Sequence, residues 1–122
     1  NSNFTFEYFE NFLNLLNENH VILIVKKNNN IIASGTLLIE EKLTYNGCKL
    51  GHIENIFVNE CERGKKIGSL IIKKLVEIAN YNKCYRVDLC CDDSLVKYYE
   101  NLDFIIKKQN KMTLLLPNNF SN

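Results

Sequence analysis

Arg63-Gly64-Lys65-Lys66-Ile67-Gly68-Ser69 gathers three cations, two glycines and a hydroxyl into one short stretch. Upstream, Ile53-Glu54-Asn55-Ile56-Phe57-Val58 reads as a strand. Downstream, Ile67, Leu70, Ile71, Leu75 and Ile78 recur at helical spacing. A strand that runs through a basic, glycine-bearing turn into a helix N-terminus builds an anion site. Its unpaired backbone N–H groups and positive dipole end converge on one point, and small residues let a phosphate come close. Arg63, Lys65 and Lys66 add charge, so the chemistry indicated is the holding of a pyrophosphate. A solvated basic loop that only caps a helix is the competing reading. Two other phosphate loops are excluded by spacing. There is no spaced glycine with a Gly-Lys-Ser/Thr ending, and Gly64 and Gly68 alone do not make the three-glycine dinucleotide fingerprint.

The elements that must position this loop follow from the periodicity. Phe6, Phe9, Phe12, Leu13 and Leu16 mark a helix over about 5–18. Strands are expected at 20–27 and 31–43, with a turn at Asn28-Asn29-Asn30 between them. A Tyr45-Asn46-Gly47 turn then leads to a strand at 50–58, completing an antiparallel meander of three. A helix over 67–82 leads to a strand at 84–91. A short helix from about 94 to 102, capped through a side-chain oxygen of Asp93 or Ser94, feeds a final strand over 104–116. The expected order is α-β-β-β-α-β-α-β: an α/β (α+β) fold, a mixed and mostly antiparallel sheet with flanking helices, in one domain over 1–122. The strand-helix-strand segment from 50 to 91 is expected to be a right-handed parallel crossover. That places the basic loop at the C-terminal edge of the sheet, where ligands of α/β folds bind, and residues 94–99 can face the same crevice.

Composition narrows the class of ligand. The chain has 122 residues, 46% of them hydrophobic, which suits one folded domain. A net charge of +1 argues against a nucleic-acid or membrane-surface binder, which would carry a marked basic excess. Local clustering of cations suits a small anionic ligand instead. No apolar run approaches the roughly 20 residues that span a bilayer, and no signal-peptide pattern is evident near Asn1. Five cysteines, Cys48, Cys61, Cys84, Cys90 and Cys91, form no C-x-x-C pair. Reduced thiols in a cytoplasmic protein are expected. Cys90 and Cys91 would point to opposite faces of a strand, and His20 and His52 stand far apart, so no metal is expected.

Three stretches resemble the GNAT superfamily of acetyl-CoA-dependent N-acetyltransferases, and within it the branch that acetylates glucosamine 6-phosphate. They are Gly51-His52-Ile53-Glu54-Asn55-Ile56, Arg63-Gly64-Lys65-Lys66-Ile67-Gly68 and Val96-Lys97-Tyr98-Tyr99-Glu100, with Cys84-Tyr85-Arg86 as a further match. The resemblance runs from about residue 4 to Leu116, and the first strand and helix of that branch have no evident counterpart here. It implies that backbone amides of Arg63, Gly64, Lys65, Lys66, Ile67, Gly68 and Ser69 cradle the pyrophosphate of acetyl-CoA. The backbone of Ile56, Phe57 and Val58 would pair with the pantetheine arm as an added strand. Tyr99 falls where the family places a phenol beside the cofactor sulfur. Attack of an amine on the thioester forms an oxyanion and expels a thiolate, which a phenol of pKa near 10 can protonate at neutral pH.

For the acceptor sugar phosphate the resemblance implies Lys42, Glu54, Asn55, Tyr85 and Arg86, a set of cation, carboxylate and amide suited to hydroxyls and a dianion. Glu54, through water, is the candidate relay for the amine proton. The implied reaction gives N-acetylglucosamine 6-phosphate for UDP-N-acetylglucosamine synthesis. The implied assembly is a homodimer through C-terminal strands, for which Met112–Leu116 would supply an apolar edge. The chain departs from the pattern at Lys66 and Asp103, where glycine is usual, and at Cys90, where relatives carry an acidic residue. Leu95 replaces an asparagine and Leu115 an arginine. These leave open a GNAT acting on another amine, such as a protein N-terminus, and a non-catalytic acetyl-CoA-binding module.

Overall fold

The computed structural model describes residues 4–10, 19–43 and 45–117. Its backbone divides into two compact units, Asn1–Cys91 and Asp92–Asn122. The first holds a five-stranded sheet in the order β1-β2-β3-β4-β5. β1 (Phe4–Glu10), β2 (His20–Lys27), β3 (Asn30–Glu41) and β4 (Lys49–Val58) pair antiparallel in sequence. α1 (Ile67–Tyr81) then carries the chain to β5 (Cys84–Asp88), which lies parallel to β4.

The meander follows from its turns. Asn28 and Asn29 hold φ of 52° and 68° between the paired Lys27 and Asn30. A two-residue hairpin with positive φ at both centres has the twist of its flanking strands, and asparagine is the side chain that best tolerates it. At the next connection Asn46 and Gly47 take φ of 59° and 76° in a 3-10 turn.

Core packing explains why α1 lies where it does. Val21, Leu23 and Val25 of β2 alternate inward, as do Ala33, Leu37 and Ile39 of β3 and Ile53 of β4. α1 lies on the sheet with Ile67, Ile71, Ile72, Leu75 and Ala79 buried. Each buried Val, Leu or Ile side chain among these contributes on the order of 1.5–3 kcal/mol. Gly35 lets the helix come close: a Cβ there would lie 2.7 Å from Ile71 Cγ2, whereas one on Gly51 would only make ordinary contact with Ala79 Cβ at 3.5 Å. The buried stripe differs from the expected one at Leu70, which is exposed, and at Ile78, which is half-buried, while Ile72 and Ala79 take their places.

Two expected elements are overturned. Residues 4–10 form β1 rather than the start of a helix over 5–18; residues 11–18 lie outside the described residues. Phe4-Thr5-Phe6-Glu7-Tyr8 also fits a period of two, and the free edge of β2 supplies the backbone partners that select it. The expected final strand over 104–116 is not formed. A strand exists only where a neighbour takes its N–H and C=O groups, and none of the five described strands pairs with this segment. Among the described residues the observed order is β-β-β-β-α-β-α.

The second unit opens with a 3-10 turn (Asp93–Leu95) that runs into α2 (Val96–Glu100). Neither Asp93 nor Ser94 acts as the expected side-chain cap. The turn is closed by backbone, Leu95 N–H to the Asp92 carbonyl at 2.9 Å. Asp103 takes φ 73°, the left-handed conformation for which glycine is the usual residue after a helix. Beyond it Ile105, Ile106, Met112 and Leu114–Leu116 are exposed. Among the described residues no helix is long and apolar enough to cross a membrane.

Candidate functional site

The C-terminal half of β4 is built differently from its first half. Thr36 of β3 faces Glu54 and Ser34 faces Phe57, so three steps on β4 span two on β3. The extra residue is a β-bulge, and Asn55 at its centre has φ 54°. On the other side of β4, the parallel pairing with β5 ends at His52 and Asp88. Ile53–Val58 therefore present an edge toward β5 that no described strand pairs. The backbone of Ile56, Phe57 and Val58 belongs to this open edge, with Phe57 half-exposed and Glu54 and Asn55 exposed.

The basic loop continues directly from that edge. Asn59 N–H ties it to the Ile32 carbonyl at 2.7 Å, a 3-10 turn follows over Glu60–Glu62, and Gly64 takes φ 83°. Lys66 precedes α1 in the left-handed conformation, φ 63° and ψ 21°, and caps it with no side-chain hydrogen bond. Lysine thus adopts the backbone that glycine would supply, at a cost of about 1–2 kcal/mol. The first α1 N–H groups, from Ile67 to Ser69, precede the first helical bond, Leu70 N–H to the Lys66 carbonyl at 3.2 Å. Arg63 folds back, its Nε donating to the Val58 carbonyl at 3.3 Å.

Glu62 organises the loop, and sequence reading passed over it. It is 8% exposed, and its carboxylate accepts from Lys65 Nζ at 2.9 Å and from Lys27 Nζ of β2 at 3.4 Å. The hydrogen bond from Lys65 is the main reason the Glu62 carboxyl is held below its ordinary range. The same bond pushes the Lys65 ammonium above its own. The i, i+3 spacing of Glu62 and Lys65 was a legible signal; the reach to Lys27 was not.

Other expected site residues lie elsewhere on the sheet. Lys42 follows β3, where its N–H donates to the Cys48 carbonyl, and Arg86 pairs with Leu50 near the start of β4. The four steps from Leu50 to Glu54 span about 13 Å of strand. The structure brings Glu54, Asn55, Ile56, Phe57, Val58 and the Arg63–Ser69 loop to one end of β4, with Lys42, Tyr85 and Arg86 toward the other. There the charges are matched. Glu40 accepts from His52 Nε2 at 2.9 Å and faces Lys42 Nζ at 3.4 Å. Arg86 Nε meets the Asp88 carboxylate at 3.1 Å, with its guanidinium 5.3 Å from the centre of the Tyr85 ring. His52, first with its hydrogen bond, and then Lys42 hold the Glu40 carboxyl below its ordinary value.

The signs of these shifts give a pH dependence. Glu40 and Glu62 bind protons less readily folded than unfolded, so they stabilise the fold above the ordinary value of 4.5. That contribution is lost as pH falls through their lowered folded values. In urea titrations the unfolding midpoint is expected to fall between about pH 5 and pH 3. A Glu40→Gln/Glu62→Gln double variant should show a shallower fall; an identical slope would place the acid sensitivity elsewhere.

In the second unit, Tyr99 is half-buried on α2. Its ring meets Tyr98 edge-on at 5.0 Å and Phe104 at 5.8 Å, and its carbonyl accepts from Leu102 and Phe104 N–H. All five cysteines are free thiols. Burial pushes the Cys84 thiol up, partly offset by Lys49, while Cys90 is exposed. Among the described residues no group of His, Cys, Asp and Glu could hold a metal ion.

A strand that loses its neighbour, bulges, and passes through a basic turn to a helix N-terminus with no side-chain cap offers backbone groups of the kind an extended, anion-bearing ligand can pair with. Residues 2–104 match the acetyltransferase (GNAT) family. The chain belongs to that family, and its fold is the GNAT fold. It is 40% identical over 97 residues to glucosamine 6-phosphate N-acetyltransferase 1 of Dictyostelium discoideum, covering 80% of this chain and 61% of that protein. It is 34% identical over 98 residues to glucosamine 6-phosphate N-acetyltransferase of Candida albicans, covering 80% and 66%. The chain thus spans less than two thirds of either relative's length. The crystal structure of glucosamine-6-phosphate N-acetyltransferase from Arabidopsis thaliana superposes with a TM-score of 0.74 at 30% identity, covering 79% of this chain and 67% of that one. A Trypanosoma brucei acetyltransferase superposes with a TM-score of 0.76 at 29% identity, covering 80% and 70%.

Proposed function

We propose that this chain transfers the acetyl group of acetyl-CoA to the amine of D-glucosamine 6-phosphate, giving N-acetylglucosamine 6-phosphate for UDP-N-acetylglucosamine synthesis in the cytoplasm. One observation carries the reading: the open edge of Ile53–Val58 leads without interruption into the uncapped start of α1. An arm bearing amides can pair with that edge while its pyrophosphate meets the N–H groups from Gly64 to Ser69; the Arg63 N–H is taken by the Glu60 carbonyl at 3.3 Å. The names of the relatives support the choice of acceptor. Acetyl-CoA supplies an activated acyl group and a thiolate leaving group.

The residues then divide the work. Glu54, exposed beside the bulge, takes the amine proton through water. The Tyr99 phenol gives a proton to the departing sulfur. Asn55, Tyr85, Arg86 and Lys42 hold the sugar phosphate; a dianion suits the cations Lys42 and Arg86, which in this structure face the carboxylates of Glu40 and Asp88. The exposed Met112–Leu116 segment, which is not a strand within the single chain, supplies the apolar surface through which two copies pair as a homodimer.

Release of CoA thiol should be measured with glucosamine 6-phosphate, glucosamine and a short peptide. Turnover confined to the phosphorylated sugar is the expected result. Turnover confined to the peptide would move the acceptor to a protein amine. Tight acetyl-CoA binding without thiol release from any amine would make the chain a binding module. The exposed Cys90 thiol is the observation that favours that second reading.

A further inference from the structure

We propose that Glu62 is a positioning residue: its carboxylate clamps the anion-binding loop to β2 and so sets the affinity for the cofactor without touching it. The proposal rests on the reading of this loop as the acetyl-CoA pyrophosphate site.

Glu62 is one of two buried polar residues among those described, the other being Thr36. A carboxylate is seldom buried unless paired, and both of its oxygens are used. One takes Lys65 of the loop at 2.9 Å; the other takes Lys27, at the far end of β2, at 3.4 Å. The loop therefore has a side-chain anchor to the sheet in addition to the backbone bond from Asn59 to Ile32. Lys65 is turned onto Glu62, which leaves the pyrophosphate to the backbone amides, Arg63 and Lys66. Ordering of the loop then precedes binding, and affinity rises because less freedom is lost when the ligand arrives.

The test is amide hydrogen exchange at Gly64–Gly68 in the protein without ligand, together with KM for acetyl-CoA and kcat. The variants are Glu62→Gln, which keeps the shape but loses the charge, and Lys65→Met, which breaks only the closer bond. Glu62→Gln is expected to speed exchange in the loop about tenfold and to raise the acetyl-CoA KM by a similar factor, leaving kcat within about twofold. Lys65→Met should do the same to a smaller extent. The charged groups facing Glu62 are Lys27 and Lys65, and Cys61 adjoins Lys65. Wild-type loop protection should therefore fall on acidification, and that of Glu62→Gln should not. Unchanged loop exchange in Glu62→Gln, or a fall in kcat at constant KM, would overturn the clamp. Faster loop exchange in a protein whose wild type does not bind acetyl-CoA would uphold the clamp and remove the cofactor assignment.

Discussion

Replacing Tyr99 with phenylalanine is expected to lower kcat by about 10²-fold, the contribution typical of a general acid acting on a poor leaving group. The structure makes this substitution a clean one. The ring is retained, and with it the edge-on contacts to Tyr98 at 5.0 Å and Phe104 at 5.8 Å. The Tyr99 carbonyl still accepts from Leu102 and Phe104, so the end of α2 is unaltered. Only the hydroxyl is lost. KM for acetyl-CoA should stay within about threefold, because the phenol acts on charge that develops in the transition state. Steady-state rates of thiol release across pH check this, with Tyr98→Phe as the comparison that leaves kcat unchanged. An unchanged kcat in Tyr99→Phe removes the phenol from the mechanism.

Gly35→Ala is expected to destabilise the fold by about 1–3 kcal/mol, the usual cost of forcing an extra carbon into a packed core. A Cβ here would lie 2.7 Å from Ile56 Cδ1, 2.7 Å from Ile71 Cγ2 and 3.1 Å from Leu75 Cδ1. The Ile56 tip can swing aside. The Ile71 methyl is fixed to a branched carbon on α1, so the helix itself must move. Urea denaturation measures the loss, and Ile56→Val, which removes one of the clashing atoms, should recover part of it in the double variant. Strict additivity of the two substitutions would mean that the clash is not the cause. Because Gly35 lies opposite the bulge and beneath α1, the same substitution should also raise KM for acetyl-CoA.

These two residues illustrate what could be read in the chain. The strand-loop-helix run from Ile53 to Ile78 was legible because its apolar period changes around an obvious basic turn. The asparagine turn at 28–30 was legible because few other residues suit that backbone. Gly35 was not, since its role depends on Ile56 and Ile71, which reach it only through the fold. The bulge at Asn55 was hidden for a related reason: it is defined by a mismatch in count between β3 and β4. The ends of the chain were misread where two periods compete. Phe6 and Phe9 fit the period of a helix while Phe4, Phe6 and Tyr8 fit that of a strand, and the availability of a β2 edge decided between them. Residues 104–116 carry strand-like composition, but composition does not supply a neighbour. Lys42 and Arg86 were visible as cations, and the carboxylates of Glu40 and Asp88 that face them stand two residues away, a spacing that puts each pair on one face of a strand.

The sheet also imposes an order of assembly. β2, β3 and β4 join through short turns, so their contacts are local and close early. The β4–β5 pairing spans the whole of α1, from Lys49 to Cys84, and must wait for a much larger loop to close. During synthesis the meander can therefore be complete while the loop and α1 still have no β5 to cover them. Until then the full length of β4 is an unpaired edge, open to another chain. The Ile53–Val58 half of β4 is the part of that edge that no described strand covers even in the folded chain, so the edge proposed for ligand pairing is also the one left open longest during assembly.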